Sequence, residues 1–411
     1  MGSQARSAAY LLEFSGRPLS HEHVVQVFPD RERPVIPEEP KTVAIVYASL
    51  SHYRSGIFSK LLRSTKYKYI FVAGHNDLDS SIPEWTVPDP SRFVEAKCHP
   101  ICMPWYYQAG LGKLAVRKDI SAIIYSGTAY SISTWYSAVL ARLAGKKVLF
   151  WTHGWIRTGG RLREAIKKQY MQLADVLLLY GQRAKAMGEG MGFSRDRMLV
   201  VYNSLDYASQ KRIREELRDQ ELVELRTQMF GSSDTPIAIC TARLTSSCRL
   251  DLLLSAQAIL RRSGKCINIL LVGDGTERER LMDFAKSEAL PVRFLGACYD
   301  EATIAKLIRA ANVTVSPGKI GLTAIHSLAY GTPVISHDDA SRQMPEVEAI
   351  IPGENGDLFC YGDANDLARV LWKWCSRPWP DQGLRKRCYE VVEHYYNPDV
   401  QLEIIESALS L

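Results

Sequence analysis

The sequence predicts two consecutive α/β domains, each a parallel sheet wrapped by helices, facing one another across a cleft. Three observations lead there. The 411 residues suit two domains of about 200 residues each. Short, apolar, β-branched runs alternate with helix-length amphipathic stretches, the pattern of strands joined by crossover helices. That series occurs twice, and a charge-dense stretch at 205–232 separates the two runs. Hydrophobic residues at 46% and charged residues at 23% exclude a disordered or fibrous chain.

Residues 1–40 close on a Pro/Glu-rich run, Arg33–Pro40, and read as a lead-in rather than core. The first domain spans 41–205. Its predicted strands are Val43–Ala48, Tyr69–Ala73, Ala122–Ser126, Lys147–Trp151, Val176–Tyr180 and Leu199–Tyr202, with amphipathic segments at Ser55–Leu62, Ser131–Ala144 and Arg161–Ala174. Residues 206–232 form a helical connection ending at Gly231-Ser232-Ser233-Asp234. The second domain, 233–395, carries strands Ile237–Thr241, Ile267–Gly273, Val292–Leu295, Val313–Ser316 and Pro333–Ser336. Helices are expected near 249–262, 276–288, 301–310, 321–330 and 363–375. A last helix within 396–411 follows Pro398, with Asp399 as its expected cap.

Net charge is +6 overall, yet residues 51–200 hold 22 Lys/Arg against 10 Asp/Glu. An anionic partner should therefore meet the first half. No apolar run reaches the length of a membrane span and no signal-peptide core opens the chain, so a cytoplasmic protein is expected. Nine cysteines without a CxxC pair read as reduced, mostly buried thiols, and their spacing provides no zinc site.

Open α/β sheets bind ligands beyond the carboxyl ends of their strands, so the loops after strands deserve the closest reading. Ser316–Ile335 reads as strand end, glycine-rich turn, helix, Gly331 stop and strand. Gly318 and Gly321 let backbone pass close to a bound group. Amides of Leu322, Thr323 and Ala324 at a helix N-terminus suit a phosphate, and Lys319 adds a full charge there. An ordinary strand-to-helix turn has the same spacing, and His326 reads equally as a core histidine. His153 stands between Thr152 and Gly154 at a sheet's carboxyl edge, flanked by Trp151 and Trp155, which suit either a sugar face or the core.

Several segments together resemble the second half of retaining glycosyltransferases of the GT-B fold, grouped as family four. They are Thr241-Ala242-Arg243-Leu244, Leu271–Gly275, Phe294-Leu295-Gly296, Gly331–Ile335, Met344-Pro345-Glu346 and Gly353–Gly356. Thr152-His153-Gly154 and Asn203-Ser204-Leu205-Asp206 fall where the family carries its His and its Asn-Gly-Val-Asp. The resemblance spans roughly 41–360. It implies two facing Rossmann-like domains, a nucleotide-sugar donor held mainly by the second, with Gly273 and Glu346 beside it, and no essential metal or other cofactor. The donor would be UDP- or GDP-linked.

Two departures accompany the resemblance. The family grips the donor diphosphate with an Arg, matched by Arg243, and a Lys five residues on, where this chain has Cys248. Arg249 or Lys319 would have to substitute. The family's two Glu separated by seven residues are Gly318 and His326 here. His326 can still meet ribose, while the missing first Glu leaves sugar identity open. His153 would contact the transferred sugar, so that His153, Arg243 and Lys319 form the expected catalytic set. On the acceptor side stand Ser51, His52 and Tyr53 after the first strand, with Trp155.

The expectation is a retaining, metal-independent glycosyltransferase moving sugar from a nucleoside diphosphate sugar to a hydroxyl on a glycan or lipid-linked acceptor, in bacterial cell-surface polysaccharide or glycolipid assembly. The basic amphipathic stretch with Arg157, Arg161, Arg163, Lys167 and Lys168 suits peripheral contact with an anionic membrane at its inner face, or a solvated helix face. Nucleic acid is not expected. Two rivals stand: a transferase acting on protein or nucleobase, and a non-catalytic nucleotide-sugar-binding subunit.

Overall fold

The computed structural model describes residues 40–75, 78, 83–155 and 160–411. The lead-in before residue 40, and Arg157, lie outside the described residues. The first sheet is built from β1 (Thr42–Val46), β2 (Lys68–Ala73), β3 (Phe93–Glu95), β6 (Ile120–Ser126), β7 (Lys147–Thr152), β8 (Val176–Leu179) and β9 (Met198–Val200), with a separate hairpin of β4 (Cys98–Cys102) and β5 (Trp105–Gln108). Its order is β3-β2-β1-β6-β7-β8-β9, every neighbouring pair parallel. The second sheet uses β10 (Ile237–Thr241), β11 (Asn268–Val272), β12 (Val292–Gly296), β13 (Val313–Ser316), β14 (Val334–His337) and β15 (Gly356–Phe359), in the parallel order β12-β11-β10-β13-β14-β15. This is the α/β architecture of two Rossmann-like halves.

The central strands are apolar throughout because helices cover both faces. Val43, Ala44 and Ile45 are fully buried in β1, as are Ile237, Ala238 and Ile239 in β10. Each sheet reverses its winding once, between β1 and β6 and between β10 and β13. At such points successive loops diverge and open a crevice.

The helical stretch between the sheets is two helices, Tyr207–Glu216 and Asp219–Phe230, broken at Leu217-Arg218. The last helix, Pro398–Ser410, returns to the first domain. Lys60 Nζ reaches Asp399 Oδ1 at 2.5 Å, Ser64 Oγ donates to Glu406 Oε1 at 2.6 Å, and Ile405 and Ala408 join the core of Phe58 and Leu61. Its cap is Asn397, not Asp399: Asn397 Oδ1 accepts from the amides of Asp399 and Val400 at 3.0 and 3.1 Å. Proline takes the first helical position, so the cap is the residue before it, two residues earlier than the sequence suggested. The cysteines are free, but only Cys98, Cys240, Cys375 and Cys388 are buried, against the expectation that most would be.

Asn397 also donates through Nδ2 to the carbonyls of Val392 and Glu393, so it both ends one helix and starts the next. Asn397→Ala should destabilise the fold by about 1–2 kcal/mol, measurable as a lowered denaturation midpoint.

Candidate active site

In the second domain, the loops after β10 and β13 part from the reversal point and pack against each other. A Cβ on Gly318 would lie 2.3 Å from the Ser247 carbonyl oxygen, and one on Gly273 only 1.9 Å from that of Ala242. Glycine alone lets these backbones pass. The Glu that the resemblance leads one to expect at 318 has no room here for even a methyl group.

Lys319 follows as an exposed cation. The loop is fixed on its far side, where the Ile320 amide donates to Gln343 Oε1 at 2.8 Å and the Met344 amide to the Ile320 carbonyl at 3.3 Å. These bonds tie Lys319 to the 3₁₀ turn Pro345–Ala349, which carries Glu346. Arg243 is exposed on the β10 loop, and Cys248 lies half-buried near Thr245. Arg249 takes a left-handed conformation (φ 51°) and turns its guanidinium to Asp251, Nε to Oδ1 3.3 Å. Its charge is thus shared with a carboxylate.

The helix after this loop is Thr323–Ala329. Gly321, Leu322 and Thr323 are half-buried at its start. The Ala324 amide is already used by the Gly321 carbonyl at 2.9 Å, which corrects the expectation that it faces a ligand. Thr323 Oγ1 donates to the Thr241 carbonyl at 3.4 Å. His326 Nε2 sits 2.9 Å from Glu301 Oε1, which also accepts from Tyr330 and Gln210 at 2.6 and 3.2 Å. Burial works against the Glu301 charge, but those hydrogen bonds, led by His326, hold its carboxyl down at about 2. One ring nitrogen of His326 is therefore committed to Glu301.

From the opposite sheet, His153 follows β7 and packs against Tyr180, ring centroids 4.6 Å apart, with Nδ1 unpartnered. Burial, then the cations of Arg54, Lys319 and Lys167, push its imidazole down to about 4. Lys167 Nζ also donates to the Gly154 carbonyl at 2.5 Å. Ser51 bridges Glu84, the His52 amide donates to the Pro83 carbonyl at 2.9 Å, and Tyr53 lies half-buried beside Arg54.

Arg54 is the residue the sequence reading missed. It is 6% exposed, its guanidinium 5.1–5.3 Å from the ring centroids of Trp151, Tyr47 and Tyr180. Nη2 donates to the Tyr180 hydroxyl, while Nη1 is unpartnered. The three aromatics stand at the carboxyl ends of β1, β7 and β8, and that recurrence of aromatics at strand ends was the available signal. Cation–π attraction replaces a carboxylate here.

Glu346 completes the group. Asn203, after β9, donates Nδ2 to Glu346 Oε1 at 2.8 Å across the two domains, and Oε2 is unpartnered. Burial raises the Glu346 carboxyl, opposed by the Asn203 bond and more weakly by the Arg54 and Lys319 charges. Two residues on, Glu348 accepts from the amides of Gln182 and Arg183 at 2.6 and 3.0 Å, at the start of helix Gln182–Gly190 of the first domain. Burial pushes its carboxyl up to about 7.

Trp155 is not at the site. It is 2% exposed and packs against Phe193, centroids 4.9 Å apart. The chain turns through Gly154 at φ 55°, which sends the large apolar ring into the core. Trp151 is likewise buried, under Arg54. Among the described residues, no group of three His, Cys, Asp or Glu is placed to hold a metal ion.

Residues 224–393 match the family described as Glycosyl transferases group 1. The matched stretch covers nearly all of the second domain. The glycogen synthase of Edwardsiella ictaluri is 30% identical over 170 residues, covering 38% of this chain and 35% of that protein; that of Paracoccus denitrificans is 28% identical over 158 residues, covering 36% and 33%. The match thus spans about a third of each curated relative. Among solved structures, Anabaena HepE in complex with UDP shares the fold at TM-score 0.67 and 15% identity, covering 90% of this chain and all of that one. The lipopolysaccharide outer core galactosyltransferase WaaB, in its apo form, does so at TM-score 0.64 and 15% identity, covering 90% and 99%. The whole described fold is therefore GT-B, and the stretch that matches the family carries Arg243, Lys319 and Glu346.

A histidine held near 4 is neutral in the folded protein through the range where an unfolded histidine, near 6.5, takes up a proton. Stability should be unaffected by this group above about pH 6.5, and fall by about 2 kcal/mol as pH drops toward 4.5. His153→Gln should flatten that part of a denaturation-versus-pH curve.

Proposed function

We propose that the protein is a retaining glycosyltransferase that moves a sugar from a UDP- or GDP-linked donor to a hydroxyl acceptor, with cationic side chains rather than a metal ion neutralising the diphosphate. The observation that carries this reading is the meeting, across the cleft, of Lys319 on the second domain with His153, Arg54 and Glu346. HepE was solved with UDP and with UDP-glucose, and its shared fold supports a nucleotide-sugar donor here.

In this reading Lys319 and Arg243 stabilise the charge that grows on the leaving diphosphate as the bond from the sugar's anomeric carbon breaks. Arg249, shared with Asp251, adds a weaker field, and the turn at Gly321, Leu322 and Thr323 adds backbone dipoles. The acceptor oxygen bonds to the same face of that carbon, and its proton passes to the departing phosphate oxygen. No side-chain nucleophile is required. Neutral His153 contacts the transferred sugar through the accessible part of its ring, and its low proton affinity keeps it from competing with Lys319 for anions. His326, anchored by Glu301 through Nε2, presents the rest of its ring toward the ribose. Ser51, His52 and Tyr53 line the acceptor side.

The fold shared with WaaB supports a role in bacterial cell-surface polysaccharide or glycolipid assembly, on a glycan or lipid-linked acceptor. The location we infer is cytoplasmic, with peripheral contact at the membrane's inner face. The filled space at Gly318 supports a second reading, a subunit that binds nucleotide sugar without transferring it.

One experiment separates them: incubation with UDP- and GDP-sugars and a panel of glycan and lipid-linked acceptors, with the product's anomeric configuration read by NMR. Transfer with retention is expected, reduced at least about a hundredfold in Arg243→Ala and His153→Ala. An inverted product sinks the mechanism; binding without turnover favours the second reading. Lys319→Ala should weaken nucleoside diphosphate about tenfold or more and nucleoside little, as measured by titration calorimetry. Equal losses would contradict the phosphate assignment.

A further inference from the structure

Helix Ile132–Leu143 is inside out. It buries Ser133, Thr134, Ser137, Ala138 and Ala141 against the sheet, and exposes Ile132, Tyr136, Val139, Leu140 and Leu143 along one stripe. A water-facing helix has the opposite arrangement. Leu143 is 81% exposed.

The stripe continues on both sides. The Tyr136 hydroxyl meets that of Tyr107 at 3.3 Å, joining the helix to hairpin β4–β5, whose tip exposes Ile101 and Met103, the latter by 86%. On the other flank, Arg142 Nη1 donates to the Gln172 carbonyl at 3.2 Å, joining it to helix Arg161–Gln172, which exposes Leu162 and Ile166. Soluble surfaces rarely expose this many large apolar side chains on neighbouring elements unless something covers them.

The surrounding charge says what. Residues 97–172 hold 12 Lys/Arg against two acidic residues, Asp119 and Glu164; among the described side chains Lys97, Lys113, Lys118 and Arg163 are exposed, while Arg117 and Arg142 are paired with Asp119 and Asp175 at 2.6 and 3.2 Å and Lys146 is buried. A second copy of this chain would bring the same cationic rim and be repelled. An anionic surface with an apolar layer beneath it matches both features.

We propose that this face docks on an anionic lipid bilayer, with the hairpin tip and the outer stripe of Ile132–Leu143 entering the headgroup layer and the rim cations meeting anionic headgroups. The proposal rests on the peripheral membrane contact inferred above, and assigns it to a surface centred on helix Ile132–Leu143 rather than on the basic helix alone. Tyr107 and Ile132 adjoin the loop that leaves the carboxyl end of β6, so the docked face borders the cleft.

The test is flotation of the full chain with phosphatidylcholine vesicles with and without phosphatidylglycerol. Wild type should float only with phosphatidylglycerol, and progressively less as salt rises. Met103→Ser/Leu143→Ser/Leu162→Ser changes only exposed positions and should weaken vesicle binding by more than about tenfold. Lys113→Gln/Lys118→Gln should cost about fivefold for each cation removed. Thermal shift with UDP and GDP should be unchanged in both variants, so a failure of the donor assignment and a failure of the docking surface read out separately. Equal or absent binding to the two vesicle types, or a triple variant that floats like wild type, overturns the proposal. A lipid-free dimer in sedimentation that the triple variant breaks assigns the face to a second copy instead.

Discussion

The arrangement of the cleft depends on one short turn. Pro345–Ala349 carries two acidic side chains that both reach into the other domain, Glu346 to the Asn203 side chain and Glu348 to two backbone amides at a helix start. Neither carboxylate forms the usual pair with a nearby guanidinium. Amide donors hold them, which fixes direction and distance more closely than a long cationic side chain does. The same turn is bonded to the loop that carries Lys319, through Gln343 and Met344. Domain placement and cation placement are therefore one structural fact.

Around that turn the electrostatics divide cleanly. Arg54 keeps its charge in an aromatic cage, His153 surrenders its proton to burial and neighbouring cations, and Glu301 keeps a negative charge through three donors. The two domains thus bring together an exposed Lys319, a neutral imidazole and, set back behind His326, a carboxylate. Each group's protonation state follows from its neighbours rather than from its residue type.

Much of the fold was legible because buried parallel strands are apolar on both faces, and runs such as Ile237–Thr241 and Val313–Ser316 stand out from their surroundings. Hairpin β4–β5 and strand β15 were not: Cys98–Cys102 includes His and Pro, and Gly356–Phe359 includes Gly and Asp, so neither carries a strand's apolar pattern. Among the candidate site residues, Lys319 and His153 were accessible as loop residues after strands, whereas Arg243 and Glu346 were named only through the family resemblance. Arg54 was not, because its cage is assembled from three separated strand ends. Trp155 went astray because a single glycine decides whether the next side chain faces the cleft or the core, and Gly154 turns it inward. The Gly318 departure acquired its cause only from the close approach of Ser247.

Glu348 lends the domain boundary a further property. Burial pushes its carboxyl up to about 7 against the two amide bonds that lower it, so its proton affinity depends on how dry the boundary is. Any ligand that draws the two domains together and dries this contact further raises that affinity and takes up a fraction of a proton from the medium. Ligand affinity and solution pH are then coupled by linkage, and the heat of binding varies with the ionisation enthalpy of the buffer that supplies the proton.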